Sequence, residues 1–151
     1  MGPPEVLEKK KERVNVPDWN TVDAAVDWLR TEARGYRPFL LWVGLSAPHP
    51  EFRTSRHYLN LIDESRVELP PKDENPHPVL IYQRQNKNWM HGFSHETVRL
   101  VRRIYFAMIA ELDAMVGRIL DAVDQAGVAD STYVIFSSDH GELAMEHRQF
   151  Y

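Results

Sequence analysis

One apolar stripe restricts the fold of this chain more than any other feature: Val98, Val101, Tyr105, Met108, Leu112, Met115, Ile119 and Val123 recur at intervals of three and four residues. Only an α-helix brings residues at that spacing onto one side. The stripe therefore predicts a long amphipathic helix, ended by Gly127, where glycine takes the left-handed cap conformation without a Cβ penalty. Tyr105, Phe106, Met108 and Met115 belong to this helical pattern and read as core packing rather than as a cofactor site. A one-sided helix needs a second layer to cover it, so the rest of the chain must supply that layer.

A shorter helix is predicted upstream. After a polar lead over residues 1–17, Asn20 is placed to cap a helix in which Val22, Ala25, Val26, Leu29 and Ala33 share one side, ending at "RGYRP". Two unbroken apolar runs, "PFLLWVGL" at 38–45 and "TYVIFSS" at 132–138, have the pattern of strands buried on both faces. Each ends in a polar cluster. Strands joined through a long helical connection are expected to be parallel, which gives an α/β fold with helices flanking a parallel sheet. Both polar clusters then fall at one sheet edge, where ligands bind in open α/β sheets, so that His49 and the Asp139/His140 pair could share one crevice. Residues 51–93 read as a long irregular excursion with one short helical candidate near 57–62, in which Trp89, Met90, His91 and Phe93 either touch substrate or, the favoured reading, anchor the loop.

Composition removes several function classes. With 43% hydrophobic and 26% charged residues over 151 positions, the chain is globular and long enough for one domain with a sizeable core. A net charge of −4 gives no reason to expect nucleic-acid binding, and the basic run "EKKKER" at 8–13 is interrupted by acids, as in a solvated surface. No window approaches the roughly 18 apolar residues a membrane span requires, and the first residues lack the apolar core of a signal peptide. The absence of cysteine excludes disulfides and thiolate metal ligands within these residues.

The chemistry-bearing residues each admit two readings. Asp139 and His140 lie side by side before Gly141; a bend there can turn both toward one metal ion, or Asp139 can cap a following helix, "GELAMEH", with His140 simply exposed. His49 stands between Pro48 and Pro50, so it is either a donor aimed at an anionic oxygen or an incidental side chain on a rigid turn. His147 reads as a helix-face histidine, with Glu142 and Arg148 as solvated surface.

The ordered set "LWVGLSAPHP", "YFAMIAELDAM" and "SSDHGELAMEHRQFY" resembles the middle of a type I sulfatase, in the alkaline phosphatase-like superfamily. The resemblance implies that Asp139 and His140 are two ligands of a divalent cation, normally Ca2+. It implies that His49 contacts the sulfate group and that His147 matches a histidine near the site. It also implies sulfate ester hydrolysis through a formylglycine nucleophile, which forms from a cysteine that this chain does not contain, and two further aspartate ligands that nothing before Asp139 matches. The 151 residues are accordingly expected to be an internal portion of a sulfatase catalytic domain, inactive alone. The substrate implied is an aryl sulfate or a sulfated glycan, with a 2-sulfated uronate of a glycosaminoglycan as the physiological form, in a lysosomal or secreted enzyme. Phosphodiesterases and phosphonate monoester hydrolases of the same superfamily are the alternative, in which case the nitrogen of His140 suits Mn2+ or Zn2+ better than Ca2+. A further alternative is a truncated, non-catalytic sulfatase-like protein.

Overall fold

A computed structural model of the chain describes residues 4–8, 11–35, 37–87 and 89–148. Part of the basic run and the last three residues of the "EHRQFY" segment lie outside the described residues, as does the side chain of Arg148. The elements in chain order are β1 (Glu5–Leu7), α1 (Val16–Thr31), β2 (Arg53–Ser55), α2 (Arg56–Leu59), α3 (Pro78–Asn86) and α4 (His95–Ala126), with 3₁₀ turns at Glu64–Arg66, Ala129–Ser131 and Glu146–Arg148.

The predicted long helix is α4, whose 32 residues extend about 48 Å at 1.5 Å per residue. Ser94 caps it by accepting from the Thr97 amide at 3.1 Å, and Gly127 closes it in the left-handed region at φ 73°. Its stripe divides between two clusters. The first half, Val98, Val101, Ile104, Ala107 and Met108, packs with Phe52, Tyr58, Leu59 and Met145. The second half, Met115, Ala122 and Val123, packs with Trp19, Val22, Val26, Leu29 and Ala33 of the α1 region. Phe93 also packs against the first cluster, and Trp89 meets Phe93 edge-on at 6.0 Å, whereas Met90 is exposed.

Helix α1 begins earlier than the predicted Asn20 cap. Asn15 is its N-cap, with Pro17 in the first turn, where the missing N–H is no loss and the fixed φ already suits a helix. The buried positions Val22, Ala25, Val26 and Leu29 are those of the predicted stripe.

Parallel pairing is present, but not where the apolar runs placed it. β1 pairs with β2 in parallel, Glu5 to Arg53 through Leu7 to Ser55, and α1 lies within the crossover such a pair requires. The 38–45 run is unpaired, and its two sides differ. Phe39, Leu41 and Leu45 rest on the α1–α4 cluster, and Phe39 meets Trp28 edge-on at 5.2 Å, whereas Trp42 is 88% exposed. The 132–138 run is open on both sides, with Ile135 88% exposed beside exposed Tyr133 and Phe136. The expectation of two strands buried on both faces is therefore corrected. An unbroken apolar run fits burial on both faces, but it does not specify the neighbours that would cover them, and among the described residues the 38–45 run is covered on one side and the 132–138 run is left open. The predicted helix after Asp139 is also absent. Ala144, Met145 and His147 take φ of 46°, 68° and 53°, values that interrupt a right-handed helix.

Between the two clusters, in phase with Met108 and Met115, α4 carries a buried carboxylate, Glu111. Its Oε1 accepts from the Val14 amide at 2.7 Å, the Asn15 amide at 3.0 Å and Trp19 Nε1 at 2.8 Å. The negative charge is felt nearby: burial, then Glu111 and Glu12, push the Tyr58 hydroxyl up to about 12, and that hydroxyl donates to the Glu12 carbonyl.

Two stability predictions follow from this packing. Glu111→Ala leaves three donors without their acceptor and should cost about 3 kcal/mol, read as a lower denaturant midpoint. Ile135→Ser should change stability by less than about 0.5 kcal/mol, as for an exposed site, while Ile104→Ala in the core should cost about 3 kcal/mol. A large loss at Ile135 would show that the 132–138 run is buried after all.

Candidate functional site

His49 stands on a loop shaped from below by Asp18. This buried carboxylate in the first turn of α1 accepts from the Ser46 amide at 2.9 Å, the Ala47 amide at 2.7 Å, the Ser46 hydroxyl at 3.0 Å and Asn15 Nδ2 at 2.8 Å. The Ala47–Pro48 peptide is cis, and the His49 amide donates back to the Ser46 carbonyl at 2.8 Å. The ring is exposed, and its Nδ1 lies 2.6 Å from the Pro50 carbonyl. A carbonyl only accepts, so Nδ1 carries the hydrogen and Nε2 is the atom left to meet a ligand. His49 lines a hollow of about 290 Å³ together with Asn15, Ser46, Glu51, Arg53 and Glu111.

The Asp139/His140 pair is a second locus. Its side chains are 89% and 72% exposed, and Asp139 Oδ1 accepts from the His140 amide at 3.0 Å. Instead of capping a helix, Asp139 faces its neighbour, with Oδ2 3.8 Å from His140 Nε2. His140 Nδ1 donates to the Gly141 carbonyl at 2.9 Å, the arrangement that ties off one ring nitrogen and presents the other to a metal. Two ligands about 2.4 Å from one cation, roughly 100° apart, are about 3.7 Å from each other. The pair thus fits two positions of a divalent ion. Among the described residues no group of three His, Cys, Asp or Glu side chains converges to complete such a site.

His147 forms a third locus. Its Nδ1 lies 3.0 and 2.9 Å from the two oxygens of Asp73, and the guanidinium of Arg84 approaches the same carboxylate. The helix-face reading of His147 is corrected, since its φ is left-handed and its partner comes from the 51–93 stretch. Glu142 Oε1 accepts from the Ala144 amide at 3.1 Å rather than facing only solvent.

The expected common crevice is not formed: Asp139 and His140 do not line the His49 hollow. Because the 38–45 and 132–138 runs do not pair, nothing registers their carboxyl ends on one edge. The residues that the sequence reading passed over are Asp18, Glu111 and Asp73. Glu111 carried a signal, a lone charge in the apolar phase between Met108 and Met115. Asp18 could have been found from Asn15 and Pro17, which mark the helix start that places it in the first turn.

A family model described as Sulfatase matches residues 3–150. The chain belongs to the sulfatase family. It is 42% identical over 161 residues to the arylsulfatase K of Bos taurus, covering 95% of this chain and 30% of that protein. Against the arylsulfatase K of Danio rerio the figures are 41% over 162 residues, 97% and 31%, and against that of Homo sapiens 40% over 163 residues, 97% and 30%. The chain thus spans under a third of the length of these sulfatase relatives. No helix among the described residues is long and apolar enough to cross a membrane.

A cation held between Asp139 and His140 would compete with a proton for His140 Nε2. The Gly141 carbonyl, then Asp139, hold the His140 pKa above its usual value, so a proton occupies the gap at lower pH. Zn2+ affinity of the chain should therefore rise as pH increases toward that pKa, by up to about tenfold per pH unit, as expected when one proton leaves per ion bound. The His140 ring signals in a Zn2+ titration at several pH values read this directly, and a pH-independent affinity would remove His140 from the ligand set.

Proposed function

We propose that the whole protein containing this segment hydrolyses sulfate esters, that residues 1–151 are an internal portion of its catalytic domain, and that the nucleophile, a formylglycine, is supplied from outside them. The observation that carries this reading is the family match over residues 3–150, with about 40% identity to arylsulfatases K. The geometry supports it at two points. Asp139 and His140 present one oxygen and one nitrogen at a spacing suited to a shared cation. That cation, Ca2+ by resemblance, would stabilise negative charge on the sulfate oxygens. His49 presents Nε2 from a braced loop.

The tautomer of His49 gives its role a direction. Its Nδ1–H is committed to Pro50, so Nε2 can donate to a sulfate oxygen only when the ring holds its second proton. We assign the protein to the lysosomal or secreted sulfatases, and its substrate class to sulfated glycans, with a 2-sulfated uronate of a glycosaminoglycan as the physiological form. These finer assignments rest on the arylsulfatase K resemblance.

The test is turnover of an aryl sulfate by the full-length protein beside its His49→Ala and Asp139→Ala variants. Each substitution should lower kcat/KM by roughly 100- to 1,000-fold, the scale for removing one charge-stabilising group. The 151-residue chain alone should release no sulfate above a His49→Ala, Asp139→Ala control. Faster turnover of a phosphate diester or phosphonate monoester than of the sulfate, with Mn2+ or Zn2+ supplied, would transfer the assignment to that branch of the superfamily. Unchanged rates in both variants would refute the site.

A further inference from the structure

The Asp73–His147 contact joins two segments 74 residues apart in sequence, and the backbone around His147 is held in an unusual shape to make it. Ala144, Met145 and His147 all lie at positive φ without being glycine, a conformation few residues adopt unless their surroundings impose it. The surroundings here do so. Met145 is fully buried in the cluster around Val98 and Val101, Arg102 Nη1 donates to the Ala144 carbonyl at 2.9 Å, and Arg84 donates to the His147 carbonyl. The same Arg84 reaches Asp73 Oδ2 at 3.5 Å, so one guanidinium holds both the backbone that carries the histidine and the carboxylate that receives it. Asp73 and Arg84 are half-buried while the His147 ring is exposed.

A carboxylate that meets one ring nitrogen with both oxygens can only accept from it. We propose that Asp73 is a positioning residue: it fixes His147 as the Nδ1–H tautomer and leaves Nε2 open, so that the ring exchanges a proton at one defined atom. The inference rests on the sulfatase reading for its substrate, but the placement of the proton does not. A neutral ring so held can take one proton at Nε2 from water or a hydroxyl. The imidazolium formed keeps Nδ1–H on Asp73 and gives the same proton back from Nε2.

Two measurements decide it. In the full-length protein, ring nitrogen NMR should show His147 with Nδ1 protonated and Nε2 bare, its signals identified by their loss in His147→Gln. Asp73→Ala should return the ring to the Nε2–H tautomer, and Asp73→Glu should restore the Nδ1–H form. An Nε2–H ring in the unmodified chain, or a tautomer indifferent to Asp73→Ala, overturns the proposal whatever the enzyme's activity, and the first of these needs no variant to fold. In the full-length enzyme, Asp73→Asn should lower kcat by about tenfold or more while KM changes less than twofold, and should move the pH profile. If His147→Gln abolishes aryl sulfate turnover and Asp73→Asn leaves the rate and pH profile intact, the positioning role is overturned while the sulfatase reading stands. If the full-length protein turns over no sulfate ester at all, that reading fails and the NMR result alone decides whether Asp73 places the proton.

Discussion

One carboxylate oxygen, Glu111 Oε1, is the point on which the arrangement of the chain depends. It receives the Val14 and Asn15 amides and the Trp19 indole N–H, so the segment leading into α1 and the first turns of α1 are both tied to the middle of α4. Removing a carboxylate from water is costly, and three N–H donors offset that cost because each bond to a charged acceptor is stronger than a neutral one. The consequences run outward in sequence. With Asn15 fixed it caps α1, the cap sets where the first turn places Asp18, and Asp18 gathers the Ser46 and Ala47 amides into the loop that presents His49. The direction of a candidate functional histidine is thus set from a buried glutamate through two intermediate carriers.

What was legible in the sequence was whatever depends on local spacing. The α4 stripe and its glycine stop, and the buried side of α1, follow from a 3.6-residue period that any partner would satisfy. The start of α1 was also written locally, in Asn15 and Pro17, but Asn20 drew the reading because it stands closer to the first buried valine. The apolar runs at 38–45 and 132–138 are different in kind. Apolar character says that a residue gains from cover, while the cover itself is a property of other segments, and here Trp42 and Ile135 have none among the described residues. The pairing that does form uses Glu5–Leu7 and Arg53–Ser55, two short stretches in which no alternation could be read.

The three candidate histidines share one feature that the sequence could not show. His49 donates from Nδ1 to the Pro50 carbonyl, His140 to the Gly141 carbonyl and His147 to the Asp73 carboxylate. Each therefore presents Nε2. The contrast with His77 shows that this is not a general habit of the chain, since His77 Nδ1 accepts from the Val79 amide and caps α3, which requires the opposite tautomer. A histidine that caps a helix is used through its lone pair on Nδ1, whereas one that must reach a metal or an anion is better held at Nδ1 and left open at Nε2.

The surroundings of the ring then separate His140 from His49. Facing Asp139 across 3.8 Å, His140 has a gap that either a proton or a cation can bridge, and the two exclude each other because a ligating nitrogen must be bare. For His49 the surroundings differ: its ring lines the hollow with Asn15, Ser46 and Arg53, and its Nδ1–H is committed to the Pro50 carbonyl. Oxygen donors beyond the Asp139/His140 pair would raise the affinity for such a cation without competing for protons in the same range, and so would let the gap at His140 hold an ion where the pair alone would hold a proton.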